Sequence, residues 1–403
     1  MSQSRNNKLS SEQLEKLWKK GKIPFALNKS QYQRFSERDM IFARVNWDSS
    51  YPAYGRPISE RESQKVGKKG YSRMGYALQD AAWTVYDHFH DAFAWDPIQD
   101  PHQAIPTQFV SKLPKYKSTD PKENSKVIKR ASMIFGACDT GICEIDPNQL
   151  FIYTHDRSNN PINFPAELKY AIVMLIEMDH YAIGTSPNLP AAIATGHAYS
   201  RMAFSIACMA EFLRNLGYKA LPAGNNIGLS VPLAINAGLG QLGRNGLLIH
   251  PKYGQRVRIC KVFTDFPLTL DSPIDFGVTD FCRVCKKCAK HCPSRSIPFD
   301  RDPTWESPWN SPSNNNGVYK WYVNIDKCYE FWVRNSTDCS NCIRVCPFTK
   351  SLGIIHDTAR FLIKHFRFLN HFLLLSDNLL GYGKKKDPER FWKSDTYLGK
   401  KSF

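Results

Sequence analysis

Apolar residues along this chain follow two rhythms. From 189 to 216, Met202, Ala203, Ile206, Ala210, Leu213 and Leu216 recur at helical spacing on one face, which predicts a long helix that Gly217 ends. The run 170–178 is apolar up to Glu177 and reads as a buried strand. Further strands are expected at 137–145, 151–154 and 219–222, and a further helix at 125–135. Strands alternating with helices from about 125 to 275 predict a layered α/β core.

The two ends read differently. Residues 9–71 are polar, basic and rich in aromatics, an arm packed on the main body, with one short helix over 11–20 that Ser10 or Ser11 can cap. Over 75–93, Tyr76, Leu78, Trp83, Val85, Tyr86 and Phe89 give a mixed helical pattern that reads as core-filling, and prolines at 97, 101, 106, 114 and 121 mark a loop after it. Near the other end, 358–380 reads as one helix, with Phe361, Leu362, His365, Phe366, Leu369, Phe372 and Leu373 on its apolar side and Lys364 and Arg367 on the other. Such a helix either docks on the body or lies on a membrane surface or a partner. Four parts are therefore expected: an arm or cap (1–124), an α/β core (125–279), a cysteine-rich domain (280–352), and a C-terminal helix with a basic tail (353–403).

With 403 residues and 42% apolar content, the chain can bury a sizeable core. Its net charge is +17, from 54 basic and 37 acidic residues. No basic–aromatic interleaving of a nucleic-acid-binding kind accompanies that excess, so it reads as a solvated basic surface. No stretch reaches the about 20 apolar residues that cross a bilayer. Residues 1–12 hold neither an apolar signal core nor a twin-arginine pair, which leaves two expectations: a cytoplasmic protein, or a mature form whose leader has been removed.

The cysteines change the picture most. Cys282-x-x-Cys285-x-x-Cys288-x-x-x-Cys292-Pro293 is the run by which bacterial-type ferredoxins hold iron–sulfur clusters, the cysteine before proline ligating the other cluster. Cys339-x-x-Cys342-x-x-x-Cys346-Pro347 answers it, with Ser336 where a first cysteine would stand and Cys328 upstream as its substitute. Eight thiolates suffice for two 4Fe-4S clusters: Cys282, Cys285, Cys288 and Cys346 for one, Cys339, Cys342, Cys292 and Cys328 for the other. Zinc, which favours two separated pairs, fits this spacing poorly, and disulfides this close together would be strained. The remaining Cys138, Cys143, Cys208 and Cys260 lie in apolar surroundings and read as buried free thiols. Gly238-x-Gly240-x-x-Gly243 has the glycines of a dinucleotide loop, but it follows a helix-like stretch and precedes a strand, the wrong context for one.

Tyr199-Ser200-Arg201-Met202-Ala203, Gly217-Tyr218, Pro222, Gly243-Arg244-Asn245-Gly246-Leu247-Leu248-Ile249, Val257-Arg258, Val262, Thr264-Asp265 and Pro273-Ile274-Asp275-Phe276-Gly277, followed by the cysteine groups, resemble corrinoid-dependent reductive dehalogenases. The resemblance covers about 131–349. It implies a nitroreductase-like α/β (α+β) core holding a base-off corrinoid (a cobalamin or other cobamide) beside a ferredoxin-like domain with two 4Fe-4S clusters. It further implies a small organohalide substrate, with Tyr199 as proton donor, Arg258 as the cation beside it and Asn225 as a polar pocket residue. Thr195, Gly240, Gly243, Asn245, Phe276 and Gly277 are expected to contact the cofactor. An ordinary tyrosine, with a pKa of about 10, is a poor acid unless a permanent cation stabilises its phenolate, and arginine supplies one. A low-potential electron donor, a small membrane-anchor protein and a place on the outer face of the cytoplasmic membrane are also implied. Two other readings compete. Epoxyqueuosine reductase, acting on tRNA, shares the cofactor set and would suit the basic charge; against it stands the aromatic arm with Tyr32, Phe35, Phe42, Trp47 and Tyr54, which favours a closed apolar pocket. A non-catalytic two-cluster electron carrier would leave the α/β core without a task.

Overall fold

The computed structural model describes residues 9–56, 65–89, 114–350 and 353–401. Helix α1 (Ser11–Lys19) starts at Ser10, whose hydroxyl accepts from the Gln13 N–H while the Gln13 side chain accepts from the Ser10 N–H. This reciprocal cap is worth about 1 kcal/mol to a short helix. The arm continues through α2 (Ile41–Arg44) to α3 (Arg73–Phe89). The prolines at 97, 101 and 106 lie outside the described residues. Pro121 opens α4 (Pro121–Ile134) behind an Asp120 cap, because a helix's first turn has no use for its missing N–H.

The core then runs through β1 (Asp139–Glu144), β2 (Tyr170–Glu177), α5 (His180–Gly184), α6 (Leu189–Asn215), β3 (Ala220–Ala223), α7 (Ser230–Asn236), a short hairpin of β4 (Gln241–Leu242) and β5 (Leu248–Ile249), and β6 (Val257–Thr264). The main sheet has the order β1-β2-β6-β3 with every pair antiparallel. Along β2, Ile172, Met174 and Ile176 join the cluster that includes α6, while Ala171, Val173 and Leu175 join a second cluster on the opposite face. None of the six is exposed. At about 1.5–3 kcal/mol for each large aliphatic side chain, this double burial makes the strand the centre of the molecule. It also explains why β2 reads as a continuous apolar run. The α6 face read from its spacing is the buried one: Met202, Ala203, Ile206, Ala210 and Leu213 are fully enclosed.

Two expected elements differ. Residues 151–154 form no strand; Ile152 makes a single bridge to Gly228. Their backbone groups are shared out instead: the Tyr153 N–H goes to the Ile227 carbonyl, the Leu229 N–H to that of Phe151, and the Thr154 N–H to that of Phe35. The cysteine-rich domain holds α8 (Val278–Val284), α9 (Lys287–Lys290), α10 (Ile325–Asn335) and α11 (Asn341–Arg344), and beyond it the expected single helix is two, α12 (Ile354–His365) and α13 (Asn370–Leu379). The break is at Phe366 (φ −128°, ψ 64°), after which the Arg367 guanidinium bridges Asp275 and Asp280. That pair of carboxylates draws the chain out of the helix. Docking is by Ile363, Leu373 and Leu374 on the Phe281–Phe348 cluster, whereas Phe361 and Phe372 are 55% and 64% exposed. Of the other cysteines, Cys143 and Cys260 are buried and Cys138 and Cys208 half-buried.

Candidate active site

Helix α6 sets Thr195 and Tyr199 one turn apart on one side. Strand β6 alternates sides, and Arg258, Cys260 and Val262 share the parity whose buried members pack with α6. The turn after β3 carries Asn225. These four residues, drawn from three elements, meet. The Asn225 side-chain amide donates to the Tyr199 hydroxyl oxygen at 2.7 Å. Arg258 Nη2 donates to the Thr195 hydroxyl at 3.2 Å, and its guanidinium carbon stands 5.1 Å from the centre of the Tyr199 ring, within cation–π range.

Helix α3 closes the other side. Trp83 stacks on Tyr199 with ring centres 4.7 Å apart and planes 23° apart, and Tyr86 meets it edge-on at 5.0 Å. The aromatic residues of this helix, expected as core filling, therefore wall the site. Gly196 makes that possible: a Cβ there would lie 2.4 Å from the Trp83 indole. Burial pushes the Tyr86 hydroxyl well above its ordinary pKa, so it stays a neutral wall.

Cysteines of each expected set lie near one another, and Cys288 is also within electrostatic reach of Cys342 from the other set. Cys282, Cys285, Cys288 and Cys346 line one small, mostly apolar cavity together with Phe281, Ile249 and Phe348. Cys328, on α10, lies within electrostatic reach of Cys292, Cys339 and Cys342. Ser336, in the slot of a first cysteine, is instead the left-handed cap of α10 (φ 59°), 1% exposed. Burial raises the thiols of Cys285 and Cys339 to about 12, and raises those of Cys288 and Cys328 well above the ordinary thiol value, with neighbouring cysteines adding to it. Thiols gathered this way cannot ionise unaided, and a cationic iron–sulfur core is the kind of group that offsets their charge. Arg244, 1% exposed, donates through Nε and Nη2 to the Cys282 carbonyl and lies 4.4 Å from the Trp321 ring centre. It places a fixed positive charge beside the first set.

The remaining expected cofactor contacts hold the seam between core and cysteine-rich domain. A Cβ on Gly240 would lie 2.2 Å from the Ile249 carbonyl, and one on Gly243 2.8 Å from the Gln255 amide. Asn245 exchanges hydrogen bonds with Gln255 at 3.0 and 2.6 Å. Phe276 packs edge-on to Phe348 at 5.9 Å, and Gly277 (φ 86°) faces the Ile363 carbonyl. Other charged groups escaped the sequence reading. The buried Glu37 bonds Arg157 at 2.8 Å, and Lys261 sits unexposed inside β6. Only Lys261 left a signal, as a second cation, beside Arg258, in an otherwise apolar strand.

Two groups of cysteines lie beside the α/β core, and residues 281–350 match the family model for a 4Fe-4S dicluster domain. Over 389 residues the chain is 33% identical to the tetrachloroethene reductive dehalogenase of Sulfurospirillum multivorans, covering 86% of this chain and 77% of that protein. With the enzyme of the same description from Dehalobacter restrictus it shares 46% identity over 193 residues, 48% of this chain and 35% of that one. The fold matches a solved catabolic reductive dehalogenase with a TM-score of 0.71 at 24% identity, over 93% of this chain and 49% of that one. The chain belongs to the reductive dehalogenase family. It spans about half the length of that solved enzyme and of several further curated tetrachloroethene reductive dehalogenases, 51% of each of the latter.

Proposed function

We propose that this protein replaces the carbon–halogen bond of a small organohalide by carbon–hydrogen, with two electrons and one proton consumed and halide released. The Asn225–Tyr199 hydrogen bond carries the reading. Because the Tyr199 oxygen accepts from Asn225, its O–H is left to donate towards a substrate, with the Arg258 guanidinium over its ring. Trp83 and Tyr86 cover the ring that carries that donor.

The residues also fit a corrinoid with its lower base detached. Arg256 Nε and Arg258 Nε on β6's flank, Asn188 Oδ1 before α6 and Asn341 Oδ1 on α11 are buried without a partner among the described residues, and such orphaned groups suit the amide-fringed edge of that cofactor. When bound, the corrinoid would supply the cobalt that accepts the electrons and activates the carbon–halogen bond. Thr195 and Arg258 would hold it from the core. The two cysteine sets would hold the clusters that pass electrons singly from a low-potential donor. Work at the outer face of the cytoplasmic membrane, through a small anchor protein, is supported by the exposed Phe361, Phe368 and Phe372 on a surface that Lys364 flanks. Nucleic acid has no part in this reading.

Anaerobically reconstituted protein should hold about one cobalt per eight irons and release halide from chlorinated alkenes with reduced viologen as donor. Iron without cobalt would make it an electron carrier, and activity confined to a modified tRNA would make it an epoxyqueuosine reductase.

A further inference from the structure

Lys261 is a cation with no exposed surface, on the sheet side facing away from α6. Its ammonium donates to the Gly224 carbonyl at 2.5 Å, the Gly228 carbonyl at 2.8 Å and the Ser230 hydroxyl at 3.0 Å. All three acceptors border one turn, 224–230, the turn that carries Asn225. Further anchors hold the turn: the Tyr153 hydroxyl donates to the Asn225 carbonyl at 3.2 Å, and the Ile227 N–H reaches the Glu37 carboxylate. Ile227 itself is held at φ 68°, a conformation a β-branched residue adopts only when its surroundings impose it. Burying a lysine charge is costly, and here burial lowers its proton affinity to about pH 7, with Glu37 opposing the shift. A neutral apolar residue would fill the space without that cost.

We propose that Lys261 is a positioning residue: its ammonium gathers the carbonyls of the 224–230 turn so that Asn225 meets the Tyr199 oxygen. The inference rests on Tyr199 being the acid in the reaction proposed above. Lys261 touches no reacting group. It acts through Asn225 alone, and that is what separates it from a residue that only stabilises the core.

The test combines hydrogen exchange with a double-mutant cycle on reconstituted full-length protein. Lys261→Met, similar in length and uncharged, should retain the wild-type iron content while amides 224–230 exchange at least roughly tenfold faster and β2 does not change. Its turnover should fall about 10- to 100-fold, as for other small misplacements of a catalytic group. In an Asn225→Ala background the same substitution should cost less than about twofold. Lys261→Gln, which still donates, should lie between Met and wild type. Multiplying losses in the double mutant, unchanged exchange in the turn, or failure of both Lys261 variants to fold would overturn the proposal. Exchange needs no turnover, so a wild type inactive on every organohalide would sink the reaction without sinking the turn's dependence on Lys261.

Discussion

Asn225 donates its side-chain amide to the Tyr199 oxygen at 2.7 Å, and this one bond ties the turn after β3 to the middle of α6. Tyr199 also has Arg258 over one part of its ring and Trp83 stacked on it. A phenol so surrounded keeps its position when the hydroxyl is removed, because the ring contacts remain.

Tyr199→Phe should therefore fold, bind iron and corrinoid as the wild type does, and lose at least about 100-fold in turnover, the usual scale for a general acid. Metal analysis with single-turnover halide release checks this. Turnover within a few-fold of wild type would remove Tyr199 from the chemistry.

Cys328 makes a sharper test of the second cysteine set, since Ser336 occupies the slot the ferredoxin run would give to cysteine and is committed to capping α10. Cys328→Ala should reduce iron from about eight to about four atoms per chain and abolish electron delivery. Ser336→Ala should keep all eight. Full iron in the Cys328 variant would mean that another group completes the set.

Much of this was legible in the residues. The helical spacing of Met202, Ile206 and Leu213 marked the face of α6 that is buried, and the cysteine spacing marked a group of thiols that the fold brings close together. What was not legible depended on tertiary partners. Residues 151–154 have the composition of a strand, yet their backbone bonds are shared among the 225–229 turn, Gln149, Phe35 and Ile162. No breaker marks Phe366, where Asp275 and Asp280 bend the chain through Arg367. Trp83 and Tyr86 look like any core aromatics, and only the packing of α3 on α6 shows that they wall Tyr199. That Lys261 and Asn225 concern the same turn is a matter of folding, not of spacing.

His180 gives the fold an acid limit. Burial, then the charges of Lys386, Arg256 and Lys350, lower its pKa from 6.5 to about 3, and Lys386 Nζ lies 3.4 Å from its Nδ1. The folded protein keeps this ring neutral while the unfolded chain protonates it below about pH 6.5. Its contribution is thus intact above pH 6.5 and is lost as pH falls towards 3, at up to about 1.4 kcal/mol per pH unit for one proton. His180→Asn should flatten the fall of melting temperature between pH 6.5 and 4. Parallel melting curves for the two proteins would show that other groups govern acid unfolding.

Gly196 pits two opposing effects against each other. Alanine in a helix interior is favoured over glycine by about 1 kcal/mol, so on propensity alone Gly196→Ala should stabilise α6. Against this, the new methyl would lie 2.4 Å from both Cδ1 and Nε1 of Trp83. An indole has no flexible end to yield, and overpacking of this kind costs about 1–3 kcal/mol. The clash should win: the melting temperature falls, and turnover falls with it because Trp83 must leave the Tyr199 ring. Adding Trp83→Leu to Gly196→Ala should restore the melting temperature without restoring turnover, since the space is relieved but the wall over Tyr199 is gone. A Gly196→Ala protein more stable than wild type and equally active would show that Trp83 has room to move and that its stacking on Tyr199 is incidental.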